Sequence, residues 1–358
     1  MKTVLPFKMP IFTNYTDYAG ALSAVCAHTD EYLPWVYSCF VQMEIPNDYS
    51  LGFKLDYTLP IPYYSLPWLD LNVNQRPVIR KAWPSIKDYL IDMIDQKIYV
   101  HFLIDTYFIP LYTNYQEYHL SHGIFVYGYD TDTQEFYVAD NFSTTQGKYA
   151  FKTCTFEELA EAYYGFDAMG ERDYLYGVIG FSIKQYYHYG FWEFRDEYKY
   201  SFNTLLFTDL LADYLQSRDS SKRLFQPRTL YGKSFLFGLS CYEYLAGYVK
   251  HCGENSLEMD VKGAKFLVEH KTILSKTCGY LLQNGLVSRN LESAYEELTR
   301  NSTLLLMLML KWNLTRRSEL IETMRSTVSA LRKEDGKAGE ALLWEIQKSQ
   351  GQQPTHPV

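Results

Sequence analysis

The sequence predicts an α+β domain over residues 1–185, an all-α helical bundle over 186–347 and a disordered tail over 348–358. Up to about Ser182, the chain consists of short β-rich runs punctuated by Pro and Gly and interrupted by two helical patterns, whereas long helical patterns follow beyond Tyr186. The charge changes at the same place. Residues 1–180 hold 22 Asp and Glu against 11 Lys and Arg, a balance of −11, and the remainder holds 20 against 23, a balance of +3. The change from β-rich to helical patterns and the change in charge therefore predict the same domain boundary.

Each element of the first domain follows from composition and spacing. β-Branched and aromatic runs predict strands over 99–105, 124–129, 135–139 and 178–182, with a further β-rich run at 60–62. Apolar residues at helical spacing predict helices near 18–32 and over 83–95, where Pro84 suits a first turn. The helical patterns come first and the four longer strands follow, an arrangement typical of an α+β domain.

The second domain repeats apolar residues at helical spacing without strand signals. The predicted helices cover 204–215, 231–250, 259–283, 290–312 and 318–347. Short breaks marked by Gly or Asn separate them, which favours a bundle. The polar, Pro-containing residues beyond this point predict the disordered tail.

Composition excludes several classes of protein. The net charge of −8 argues against a nucleic-acid partner, and we expect no membrane partner because no apolar run approaches the roughly 18 residues of a span. The N-terminus lacks the apolar core of a signal peptide, so a cytoplasmic location is expected. Six scattered cysteines form neither a zinc pattern nor a disulfide framework, and we expect no metal and no cofactor.

The candidate chemistry lies in one predicted hairpin. His122 begins one strand, a loop rich in Asp and Thr reverses the chain, and Asp140 ends the next strand. Because the start of one antiparallel strand lies beside the end of its partner, these side chains are expected to be close. An imidazole oriented by a carboxylate is the base that a nucleophile needs. The alternative is an edge histidine without a catalytic role. Asp105 also ends a strand, where a turn-forming role is the more common one.

Five segments carry a family resemblance. They are 99–110, 122–130, 136–141, 232–248 and 266–274, the last containing the sequence Glu-His-Lys at 269–271. Together they resemble the butirosin biosynthesis protein H family over nearly the whole chain. The spacing His-x-x-x-Val-x-Gly-Tyr-Asp is also similar to that of bacteriocin-processing cysteine peptidases, which share a papain-like core.

The resemblance implies a papain-like first domain with a Cys, a His and an Asp, in which His122 matches the base and Asp140 the orienter. It implies acyl transfer or thioester processing in bacterial secondary-metabolite biosynthesis, of the nonribosomal peptide or aminoglycoside type. The implied partners are an acyl or peptidyl carrier protein and a small-molecule acceptor.

The nucleophile departs from the family pattern. Papain-like enzymes place a cysteine at the first turn of the first long helix, where the helix dipole stabilises a thiolate. Here Tyr15 and Tyr18 occupy that stretch, with Asp17 as the expected N-cap. Cys26 is the nearest thiol, more than two helical turns beyond Asp17, and its spacing from Leu22 suits a core position better than a nucleophile.

Three functions therefore stay open. The first is a Cys-His-Asp acyltransferase, with Cys26 or an unrecognised nucleophile. The second is a catalytically degenerate papain-like protein that binds a carrier protein or a synthetase. The third is an amidase or peptidase for a small peptide.

Overall fold

The computed structural model describes residues 1–58, 66–170, 177–183, 200–223 and 234–351. The predicted boundary near residue 185, the β-rich run at 60–62 and residues 352–358 of the predicted tail lie outside these ranges.

Within the described ranges, the protein is a mixed α+β structure. Its helices are α1 (Thr16–Cys26), α2 (Tyr32–Cys39), α3 (Arg76–Ala82), α4 (Ile86–Asp95), α5 (Phe156–Ala168), α6 (Thr204–Leu215), α7 (Cys241–Glu254), α8 (Lys262–Gln283), α9 (Glu292–Thr315) and α10 (Glu319–Ser349). Its strands are β1 (Lys2–Val4), β2 (Met43–Pro46), β3 (Asp56–Tyr57), β4 (Leu69–Asn74), β5 (Tyr99–Asp105), β6 (Ser121–Asp130), β7 (Glu135–Phe142), β8 (Lys148–Thr155), β9 (Val178–Ile183) and β10 (Phe235–Phe237).

The chain divides into two compact units. The first comprises residues 1–32 and 61–199, and the second comprises 33–60 and 200–358. The sequence predicts one boundary, whereas the structure groups 33–60 with the helical half. Pairing of β2 with β10 and with β3 in a three-stranded antiparallel sheet accounts for this grouping. Within the described ranges, no helix is both long and apolar enough to cross a bilayer.

Unit 1 is built on an antiparallel sheet of seven strands. Six follow the order β4-β9-β5-β6-β7-β8, and β1 pairs with the far half of β6. β5 is buried along its whole length, so it forms the centre of the core. α1 packs very closely on the sheet, since a Cβ atom at Gly20 would overlap the Phe125 ring.

The strands that carry the predicted site form a continuous antiparallel run. On β5 and β6, Ile104 pairs with His122 and Asp105 with Ser121, while β6 and β7 pair from Phe125–Ala139 to Asp130–Glu135. The end of β5, the start of β6 and the end of β7 therefore meet at one end of the sheet. His122 and Asp140, which lie near these strand ends, are brought to the same end of the sheet.

Unit 2 is a helical assembly around α8 and α10. α8 packs on α9, and α10 packs on α6, α7 and α9. His270 of α8 donates from Nε2 to the carbonyl of Val41 at 2.8 Å, which fixes the segment 33–60 on this unit. Burial, together with the neighbouring Lys271, holds the pKa of His270 well below its usual value, so the ring is neutral.

Candidate functional site

The structure brings His122 and Asp140 together. Nδ1 of His122 lies 3.0 Å from Oδ2 of Asp140 and 3.0 Å from the carbonyl oxygen of Gly123. Both neighbours are acceptors, so Nδ1 carries the proton and Nε2 holds the lone pair in the neutral ring. The His122 side chain is 36% exposed and that of Asp140 is fully buried. The pair thus has the geometry of a solvent-facing base with a buried orienter.

Two hydroxyl groups donate hydrogen bonds to Asp140. The sequence did not predict either of them. Thr16, the first residue of α1, donates to Oδ1, and Tyr112 donates to Oδ2. Burial and the adjacent carboxylate raise the pKa of Tyr112 well above its usual value, so the phenol keeps its proton and remains a donor. Both oxygens of Asp140 therefore accept hydrogen bonds, and the carboxylate cannot rotate freely.

Asn141 joins the start of α1 to β7. Its Nδ2 donates to the carbonyl of Thr13 at 2.8 Å, next to the contact between Thr16 and Asp140. The helix begins with Thr16, and Tyr15 is the N-cap residue, so the expectation of an Asp17 cap is wrong. Asp17 lies in the first turn instead, with Oδ1 placed 3.1 Å from Nε2 of buried His101.

The predicted replacement residues lie at the start of α1 but form an aromatic cluster. The ring centroids of Tyr15 and Tyr18 are 6.4 Å apart, and both rings pack against Phe12. Thr16, in the same stretch, donates from its hydroxyl group to the carboxylate of Asp140. The first residue of α1 thus places a short hydroxyl group beside the carboxylate of Asp140.

Cys26 lies at the opposite end of the same helix. At 1.5 Å rise per residue, Thr16 and Cys26, ten positions apart in α1, are separated by about 15 Å along the axis. Sγ of Cys26 contacts the carbonyl oxygens of Lys8 (3.5 Å) and Ser23 (3.6 Å). Burial raises the pKa of its thiol to about 11. Neither the position nor the protonation state is that of a thiolate nucleophile.

The other five cysteines give no alternative. All six are buried, and burial raises the pKa of every thiol. Across the part of the chain that the structure describes, no group of three or more His, Cys, Asp or Glu is arranged to hold a metal ion.

The state of Cys26 predicts how it reacts with an alkylating reagent. Because its pKa is about 11, the thiolate fraction in the native protein is small at neutral pH and grows as the pH rises toward that value. We expect slow iodoacetamide labelling of Cys26 at about pH 7 and acceleration only in strongly alkaline buffer, as measured by intact-protein mass spectrometry. The Cys26→Ala variant identifies the site. Rapid single labelling of Cys26 near pH 6 would contradict the buried-thiol assignment.

Comparison with known proteins adds no family name to this site. No protein-family model matches the chain, and no curated protein matches it.

Proposed function

We propose that unit 1 is a papain-like domain that transfers an acyl group from a carrier-protein thioester to an amine of a small acceptor, with His122 as general base. The oriented His122–Asp140 pair is the observation that carries the proposal. The start of α1 beside Asp140, at one end of an antiparallel sheet, supports the papain-like comparison. Bacterial secondary metabolism of the nonribosomal peptide or aminoglycoside type is the setting that the resemblance suggests.

The reaction needs no covalent enzyme intermediate. Nε2 of His122 takes a proton from the acceptor amine as its nitrogen attacks the thioester carbonyl carbon. The C–N bond forms, the C–S bond breaks, and the His122 imidazolium gives its proton to the leaving sulfur, which yields the free carrier thiol and restores the neutral ring. Asp140 keeps Nδ1 protonated and stabilises the imidazolium while His122 holds the transferred proton. A direct transfer of this kind agrees with the buried, protonated state of all six cysteines.

The test replaces the base and follows thiol release. The donor is the glycyl thioester of N-acetylcysteamine, the acceptor is 2-deoxystreptamine, and a chromogenic disulfide reports the free thiol. We expect His122→Gln to lower the protein-dependent rate by about 10²- to 10⁴-fold, the usual contribution of a general base. His251→Gln, on α7 of unit 2, is the matched control and is expected to keep the rate. An unchanged rate in His122→Gln contradicts the proposal.

Removing the nearest thiol separates direct transfer from cysteine catalysis. We expect Cys26→Ala to retain the rate of thiol release, because this side chain packs at the far end of α1 and its thiol stays protonated. Rapid-quench mass spectrometry is expected to find no acyl group on the protein. Loss of the rate in a folded Cys26→Ala variant, or an acyl adduct on Cys26, would restore the Cys-His-Asp mechanism.

A second function is a carrier-protein docking module without turnover. The tyrosine cluster at the start of α1, in the stretch where the resemblance implies a thiol, favours it. A carrier protein that binds equally well to wild-type protein and to His122→Gln, with no thiol release from either, would select this alternative. The third function, an amidase or peptidase, uses water in place of the amine and would release free glycine from the same donor.

A further inference from the structure

A second histidine–aspartate pair lies next to the first along the chain. Nδ1 of His119 is 2.5 Å from Oδ2 of Asp105, and the His119 side chain is 57% exposed whereas Asp105 is fully buried. The ring of Tyr107 stacks on the imidazole, with centroids 4.4 Å apart and planes at 23°. An exposed surface histidine held from two sides in this way has lost most of its rotamer freedom.

The carboxylate of this pair is itself fixed. Oδ1 of Asp105 accepts hydrogen bonds from the backbone nitrogens of Tyr107 (3.1 Å) and Leu120 (3.3 Å). Oδ2 is thereby directed at the imidazole. Because the carboxylate only accepts, Nδ1 of His119 donates, and Nε2 is the atom that exchanges a proton with solvent or substrate.

The two pairs share one end of the sheet. Asp105 is the last residue of β5 and pairs with Ser121, while the preceding residue, Ile104, pairs with His122. His119 and His122 are three residues apart, so their Cα atoms are separated by at most about 11 Å even in a fully extended chain. Imidazole rings on Cα atoms this close can reach opposite sides of one tetrahedral centre when both rings are directed toward it, each needing about 3 Å to its reacting atom.

We propose that His119 is a general acid of the same site, which protonates the leaving carrier thiolate while His122 deprotonates the amine. This inference rests on the proposed acyl transfer and divides its two proton transfers between two residues. In the reactive state His119 is the imidazolium and His122 is neutral. As the C–N bond forms and the C–S bond breaks, His122 gains the amine proton and His119 gives its Nε2 proton to sulfur. Both rings then return to the starting state by proton exchange with water, which the exposure of each side chain permits.

The assignment makes a specific prediction about leaving groups. An aryl thiolate leaves without assistance far more readily than an alkyl thiolate, because its thiol has a lower pKa. Loss of a general acid therefore slows an alkyl thioester and spares an aryl thioester, whereas loss of the base that activates the amine slows both.

The experiment compares two glycyl thioesters, one of N-acetylcysteamine and one of thiophenol, with 2-deoxystreptamine as acceptor. For His119→Gln we expect a loss of about 10²-fold or more with the alkyl donor and little loss with the aryl donor. Asp105→Asn is expected to show the same selectivity, because it removes the acceptor that orients His119. His122→Gln is expected to lose rate with both donors. Thermal unfolding of each variant confirms that it is folded.

The outcomes separate the two proposals. Equal losses with both donors in His119→Gln, or no loss with either, overturn the general-acid role and leave the proposed acyl transfer standing on His122. If His122→Gln keeps the wild-type rate with both donors, the proposed function fails, and the role of His119 in it fails as well.

Discussion

Replacing Asp140 with asparagine is expected to lower the rate of the proposed acyl transfer by about 10⁴-fold, the loss known when an amide replaces the carboxylate that orients a catalytic histidine. Three donors converge on Asp140, namely Thr16, Tyr112 and Nδ1 of His122. An asparagine has one oxygen and one NH₂ group in place of the two carboxylate oxygens. At one of the two sites, a group that donated to Asp140 therefore faces another hydrogen-bond donor. When the NH₂ group faces His122, Nδ1–H loses the carboxylate and retains only the Gly123 carbonyl as an acceptor, which favours the tautomer with the proton on Nε2. The base then lacks its lone pair toward the substrate.

The measurement is the same thiol-release assay, with ¹⁵N NMR of the histidine ring as a second readout. We expect the ring of His122 to change tautomer in Asp140→Asn while the protein stays folded. A variant that has lost the rate but kept the wild-type tautomer would show that Asp140 acts in another way.

Thr16→Val is the matched control for this substitution. It removes one donor to Asp140 and leaves the contact of Oδ2 with His122 in place. We expect a loss of about 1.5–3 kcal/mol of stability, the usual contribution of a hydrogen bond to a charged group, with most of the transfer rate retained because the contact with His122 remains. If Thr16→Val abolishes transfer without unfolding the protein, the Thr16 hydroxyl is itself part of the chemistry.

The sequence predicted those helices and strands whose apolar residues repeat with a clear helical or strand period. The strand predicted over 99–105 and the helix predicted over 204–215 have the bounds observed for β5 and α6. The hairpin of β6 and β7 brings His122 beside Asp140 because antiparallel pairing alone dictates that proximity. For these two residues, the proximity of the side chains was predictable from the sequence.

Features that depend on distant partners were not predictable in the same way. β10 has three residues in a region where the sequence predicts only helix, and it exists because it pairs with β2, nearly 190 residues earlier. A strand this short has no periodicity to detect. Thr16 and Tyr112 were missed for a related reason, since single hydroxyl residues carry no spacing signal until the fold directs them at one carboxylate.

Asp335→Asn is expected to cost about 3–5 kcal/mol of the stability of unit 2, the usual loss on breaking a buried ion pair. Nζ of Lys271 lies 2.5 Å from Oδ2 of Asp335, and both side chains are almost completely inaccessible to solvent. Tyr214 and Tyr242 donate to the same oxygen, and burial raises the pKa of both phenols well above the usual value, so they remain donors. Burial lowers the pKa of Lys271, and the carboxylate is the group that opposes this shift. Without that charge, the ammonium is left among neutral groups.

A double-mutant cycle distinguishes a stranded charge from a packing defect. The free energy of unfolding is measured by urea titration, with far-UV circular dichroism as the signal. It is taken from the transition that shifts when Lys271 or Asp335 is substituted. We expect Lys271→Met combined with Asp335→Asn to be more stable than Asp335→Asn alone, because the double variant buries no charge while the asparagine oxygen still accepts from the two tyrosines. Glu297→Gln breaks the 2.6 Å pair with Arg300 on the exposed face of α9 and is expected to cost no more than about 1 kcal/mol. Purely additive losses in the cycle would contradict the ion-pair explanation, since two residues that stabilise each other's charge cannot be replaced independently.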